Sequence, residues 1–116
     1  MILINYDNKC AVSGVDIPEL LVASHIIPWA ENEKERLNPE NGICLSSLYD
    51  SAFDQGLISF DDDYKMIASS RLKNHTKDAY YQQFFVPFIG KTLNEALDYM
   101  PRKEFLEWHR DMLFDR

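Results

Sequence analysis

Two short apolar runs, Leu20 to Ala23 and Ile43 to Leu45, stand on either side of a polar, charged stretch, and a run with helical spacing follows the second and stops at Gly56. Strand, loop, strand, helix is the order this pattern imposes. The first strand is predicted over Leu20 to Ile26, with Pro28 ending it because a proline offers no ladder donor. Trp29 to Glu40, through ENEKER and NPE, reads as a loop with one helical turn, and Asn41-Gly42 as a tight turn. Ser46 is placed to cap a helix carrying Leu48, Ala52 and Phe53, and Gly56 to end it.

Beyond that unit, Leu57 to Phe60 and Tyr64 to Ser69 are β-prone runs joined by Asp61-Asp62-Asp63, a hairpin with an acidic tip. Thr76 to Phe85 is predicted helical and is interrupted by Pro87. Pro101 opens a last helix whose packing face is Phe105, Leu106, Trp108, His109, Met112 and Leu113. Neither a repeat nor a Gly/Ser linker divides the 116 residues. One domain over 1–116 is expected, with a core unit at about 10–69 and a helical part at 76–116. Ile2, Leu3, Ile4 and Tyr6 read as the last turns of a helix with no N-cap before it, the pattern of a terminal module in a longer protein with an N-terminal recognition or sensing domain. No apolar run reaches the roughly 18 residues of a membrane span, and Met1 to Tyr6 is too short and uncharged for a secretory signal, so a cytoplasmic chain without a membrane partner is expected. Cys10 and Cys44, far apart and without a CxxC, are expected as buried free thiols.

The candidate chemistry is concentrated in ASHIIPW at 23–29 and NPENGICLSSLYDSAFDQGLISF at 38–60. A histidine at a strand end can serve as a general base, because an imidazole with an ordinary pKa near ~6.5 is mostly neutral at pH 7. A histidine satisfied in the core is the bland alternative for His25. Asp50 and Asp54 are four apart, so on one helix they share a face and can converge on one cation. Asp54 can instead cap the following turn or pair with Arg36 or Lys65. Asn41 either favours its turn or hydrogen-bonds the loop that carries His25.

These motifs resemble the HNH endonuclease family, in the branch whose first motif reads Ala-Ser-His-Ile-x-Pro-Trp and whose helix carries Phe-Asp-x-Gly. The resemblance runs from Cys10 to about Ser69, and the closing FLEWHRDMLF resembles the terminal helix of the same branch. It implies an α+β fold: a ββα-metal (HNH) core with an added short hairpin and C-terminal helices. It also implies a metal-dependent endonuclease that hydrolyses phosphodiester bonds in DNA, double-stranded in the first instance, leaving a 5′-phosphate. His25 would be the general base, Asn41 the residue that fixes the loop, and the cofactor one divalent ion, Mg²⁺ or Mn²⁺ first and Zn²⁺ or Ni²⁺ as further options. The family often places a histidine at the position of Tyr49 or Asp50, and this chain has none there. The metal is therefore assigned to Asp50, with Asp54 second. Ser24 stands where many relatives carry an acid, which leaves more of the coordination to water.

A net charge of −7 sits badly with a DNA partner, since phosphate contacts call for Lys and Arg. The distribution is more favourable: Lys65, Arg71, Lys73 and Lys77 fall in a stretch free of acids, and with the loop residue Arg36 they are the candidate phosphate contacts, an exposed and merely solvated surface being the alternative. The acidic balance, the missing helix histidine and Ser24 keep open a catalytically weakened, HNH-like nucleic-acid-binding module. A protein-interaction domain with no nucleic acid ranks last, because it leaves His25, Asn41 and Asp50 unexplained as a set.

Overall fold

The computed structural model describes residues 2–28, 33–35 and 37–115. A short helix, α1 (Ile2–Asn5), precedes the strand β1 (Leu21–His25), which pairs antiparallel with β2 (Gly42–Ser46); α2 (Ser47–Asp54) follows directly. A second antiparallel pair, β3 (Ile58–Phe60) and β4 (Met66–Ala68), leads into α3 (Ser70–Lys73), α4 (Ala79–Phe84) and α5 (Lys103–Met112). The architecture is α+β, a ββα core with an added hairpin and C-terminal helices.

The first pair is covered on both faces, by α1 on one side and α2 on the other, which is why every residue of β2 is buried. Val22 pairs with Leu45, Ser24 with Ile43 and His25 with Gly42. Asn41-Gly42 is not the tight turn expected from the dipeptide. Asn41 closes a 3-10 turn over Pro39–Asn41, and Gly42 is extended, with φ −141°. The glycine serves packing there, since a Cβ at position 42 would run into the side chain of Ile2 from α1.

Three other local expectations shift. Ser46 occupies the N-cap position of α2, yet its side chain makes no capping bond. A serine does cap α3, where Ser69 Oγ accepts from Leu72 N at 3.2 Å, so a helical turn occupies the middle of the stretch read as basic surface. On α5 the buried face runs through Phe105, Leu106 and His109, whereas Met112 is 53% exposed. The spacing of Leu106, His109 and Leu113, three then four, is the one that stays on a single helix face. The acidic tip behaves as a turn: Asp61 Oδ1 accepts from the backbone N of Asp63 and of Lys65, at 2.8 and 2.9 Å.

Phe53 of α2 joins the elements, with its ring 5.6 Å from that of Phe60 in β3 and stacked at 3.8 Å on the imidazole of His109. Cys10 and Cys44 are buried free thiols. Among the described residues no helix is long and apolar enough to cross a membrane.

The ends of α2 and α5 meet closely at Gly56. Gly56 takes φ +72°, and a Cβ there would collide with the backbone carbonyl of Leu113, which cannot move aside as a side chain can. Gly56→Ala should therefore lower stability by about 2 kcal/mol or more, combining the left-handed penalty with the clash. Gly42→Ala should cost less, because only the flexible end of Ile2 must give way; urea unfolding of the two variants checks the order.

Candidate functional site

β1 ends at His25, and α2 carries Asp50 in its first turn and Asp54 as its last residue. The hairpin lies against that helix, and His25, Asp50 and Asp54 line one surface cleft of ≈ 420 Å³, together with Val22, Ala23, Ser24, Pro28 and Leu113. Tyr49 turns elsewhere: it is buried, its hydroxyl donates to the carbonyl of Phe84 at 2.7 Å, and its ring meets Phe85 and Phe88 edge-on. Of the two helix positions weighed for the metal, 50 and not 49 reaches the cleft.

Asn41 is fully buried and spends its whole amide on the chain that follows His25. Its Oδ1 accepts from Ile27 N at 2.9 Å, and its Nδ2 donates to Ile27 O at 3.0 Å and to Glu35 O at 3.3 Å. Its own carbonyl accepts from Ile26 N at 3.0 Å. Three of these bonds fix the backbone just past the imidazole, and the fourth ties Asn41 to Glu35.

Burial, and then the neighbouring charge of Asp50, raise the Asp54 carboxyl to a pKa of about 6. Ser24, 2% exposed, lines the same cleft, and its Oγ is buried without a hydrogen-bond partner. Two mutually repelling carboxylates beside an orphan hydroxyl form a donor set that suits a hard cation. Among the described residues no group of three or more His, Cys, Asp or Glu could hold a metal ion, so an ion here would retain several waters. Mg²⁺ and Mn²⁺ accept that arrangement; Zn²⁺ ordinarily asks for three or four protein ligands.

The basic candidates do not gather at the cleft. Arg71 donates to Gln55 O at 2.9 Å, one residue past Asp54. Lys65 is at the opposite end of β4, paired with Thr92 in an isolated bridge, and Lys65, Lys73 and Lys77 are exposed. Arg36 lies outside the described residues. A separate cavity of ≈ 270 Å³, lined in part by Phe60, Phe88, Lys91 and Asn94, contains none of the candidate residues.

His109, expected on the packing face of the last helix, is fully buried. Its Nε2 is 2.8 Å from Phe53 O and its Nδ1 2.7 Å from Ser59 Oγ. A carbonyl can only accept, so Nε2 carries the proton and Nδ1 receives the Ser59 hydroxyl. Burial, aided by the charge of Arg110, lowers this imidazole to a pKa of about 4 despite the Phe53 bond. Nothing in a helical spacing of apolar residues signals such a bond; the presence of a histidine on an otherwise apolar face was the sole hint.

The motif-bearing segment can be set against known proteins. Residues 10–61 match the HNH endonuclease family. That span holds His25, Asn41, Asp50 and Asp54, and the HNH match supports a nuclease in general. No curated protein matches the chain. Among solved structures, the modification-dependent TagI restriction endonuclease is similar, with a TM-score of 0.65 over 97% of this chain at 16% identity. At that identity the likeness concerns the fold, and it extends the HNH segment to the C-terminal helices. The match takes up 35% of the TagI chain, so this chain spans about a third of that protein.

Two pH effects follow. A carboxyl raised from 3.8 to about 6 favours the fold most below pH ~4, and that contribution is lost as pH rises through 6. Asp54→Asn should accordingly raise the cation-free melting temperature above pH 6 and leave it nearly unchanged at pH 4. The His109 contribution has the other sign: with its pKa lowered from 6.5 to about 4, it is complete above pH ~7 and fades as pH falls toward 4, by up to ~3 kcal/mol. Unfolding curves at pH 7.5 and 4.5 should show a shallower acid loss in His109→Phe than in wild type.

Proposed function

We propose that the chain is a metal-dependent endonuclease that hydrolyses phosphodiester bonds in DNA, with His25 as general base. The observation that carries this reading is the single cleft lined by His25, Asp50 and Asp54. A hydrolase of this kind needs a base for water, positive charge for the phosphoryl and leaving oxygens, and a rigid support for both. His25 accepts the proton of the attacking water. Asn41 keeps the backbone beyond His25 from drifting, so that the imidazole meets the water in one place. Asp50 and Asp54, with the Ser24 hydroxyl, would hold the cation. When bound, a divalent ion supplies the charge that the leaving oxygen and the phosphoryl oxygens require. Val22, Pro28 and Leu113 complete the lining of the cleft.

Double-stranded DNA is the substrate class that the HNH match supports best, with Arg71 beside the end of α2 and the exposed Lys65, Lys73 and Lys77 as phosphate contacts. A second reading, an HNH-like module that binds nucleic acid with weakened catalysis, draws on the lack of a three-ligand group among the described residues.

Plasmid nicking with Mg²⁺ or Mn²⁺ separates the two. Wild type should nick, chelation should stop it, and His25→Ala should slow it by roughly 10²- to 10⁴-fold with the circular dichroism spectrum intact. Asp50→Ala should abolish the metal dependence together with the activity. Full cleavage by His25→Ala would end the catalytic assignment; DNA binding without any cleavage by wild type would favour the second reading.

A further inference from the structure

We infer that His109, on α5 and outside the cleft, is a positioning residue that holds the Asp54-bearing turn of α2 in register with His25. This rests on the cleft being the hydrolytic site proposed above. A buried aromatic position between α2 and β3 would be filled at lower cost by Phe, since a buried polar group brings no stability that apolar packing of the same volume cannot match. What a fully bonded polar group adds is direction: apolar faces slide, whereas a satisfied hydrogen-bond chain fixes one arrangement.

Here the chain runs from β3 to the site helix. His109 Nε2–H donates to the carbonyl of Phe53 at 2.8 Å, the residue immediately before Asp54, which fixes the tautomer, and the unprotonated Nδ1 accepts from Ser59 Oγ at 2.7 Å. The same ring stacks on Phe53 at 3.8 Å with an interplanar angle of 2°, so plane and bond are both set. Further contacts from the C-terminal segment converge on this turn. Asp115 N donates to Gly56 O at 2.8 Å, the Leu113 carbonyl packs where only Gly56 fits, and the Leu113 side chain lines the cleft. By this geometry α5 belongs to the cleft's machinery and is not an appended stabilising helix. A shift at the Phe53 carbonyl moves Asp54 relative to Asp50 and His25, and the cation should register that before the DNA does.

The test compares wild type with His109→Phe, His109→Gln and Ser59→Ala, at a temperature well below each melting point. Mn²⁺ affinity is measured by titration calorimetry, and kcat and KM by nicking of plasmid DNA. His109→Phe keeps the stacking and loses both bonds; at least a tenfold weaker Mn²⁺ affinity and a tenfold lower kcat are expected, with KM for DNA unchanged. His109→Gln, whose amide can reach the Phe53 carbonyl, should recover most of both. Ser59→Ala, which deletes the bond at Nδ1 and leaves the ring held from one side, should fall between. A purely structural role would lower the melting temperature and leave Mn²⁺ affinity and kcat at wild-type values in the folded protein, and that result overturns the inference. If His109→Phe does not fold, Ser59→Ala decides: unchanged affinity and kcat overturn the inference, and a joint fall at constant KM supports it. A wild type that neither binds Mn²⁺ nor nicks DNA removes the proposed function itself, and this inference with it, which the variants alone would not do.

Discussion

A loop between two antiparallel strands has no ladder of its own, and its amides and carbonyls must find partners or stay in water. Here one side chain does this work for the chain beyond His25. Asn41 reaches a residue fourteen positions earlier, giving its oxygen to the Ile27 amide and its nitrogen to the Ile27 carbonyl, and extends the same amide to Glu35. Remove that amide and two buried backbone groups lose their partners, with a penalty of about 1–3 kcal/mol for each. The backbone that follows the imidazole would also be released. The bonds that satisfy the buried backbone of Ile27 are thus also the bonds that hold the strand end beside the cleft.

At the far side of the cleft the means are different. The end of α2 is held by a stacked ring, a carbonyl bond, a glycine that admits a neighbouring backbone, and the backbone of Asp115. No one of these is strong. Together they fix the turn carrying Asp54 from outside its own helix, which at eight residues is too short to be rigid by itself. Asn41, His109, Gly56 and Asp115 support the strand end and the helix end without lining the cleft themselves.

The hairpin, the helix and their order were legible in the sequence because periodicity and punctuation act locally: Pro28 and Gly56 do what their backbone chemistry requires, within a residue or two, and Ser46 holds the N-cap position although its side chain makes no capping bond. Asp50 and Asp54 could be placed on one face because helix geometry is fixed at 3.6 residues per turn. Long-range contacts were not legible. The role of Gly42 depends on Ile2, which is distant in sequence, so the Asn-Gly pair pointed to a turn that packing overrode. The bonds of His109 were hidden for the same reason, since its partners Ser59 and Phe53 are fifty and fifty-six positions away. The basic stretch from Lys65 to Lys77 is divided among β4, α3 and the turns beside them, and none of its cations lines the cleft. Sequence proximity among charges says nothing about the face on which they emerge.

The crowding of Asp50 and Asp54 also bears on the order of events, on the proposed reading. A cleft whose lining is anionic repels a polyanion, and a chain of net charge −7 adds to the barrier. Neutralisation by a cation would have to come first, and only then could a phosphate settle between the carboxylates and the imidazole. Such a site rejects its substrate while unloaded, a safeguard against idle occupancy of the genome that a neutral pocket would lack.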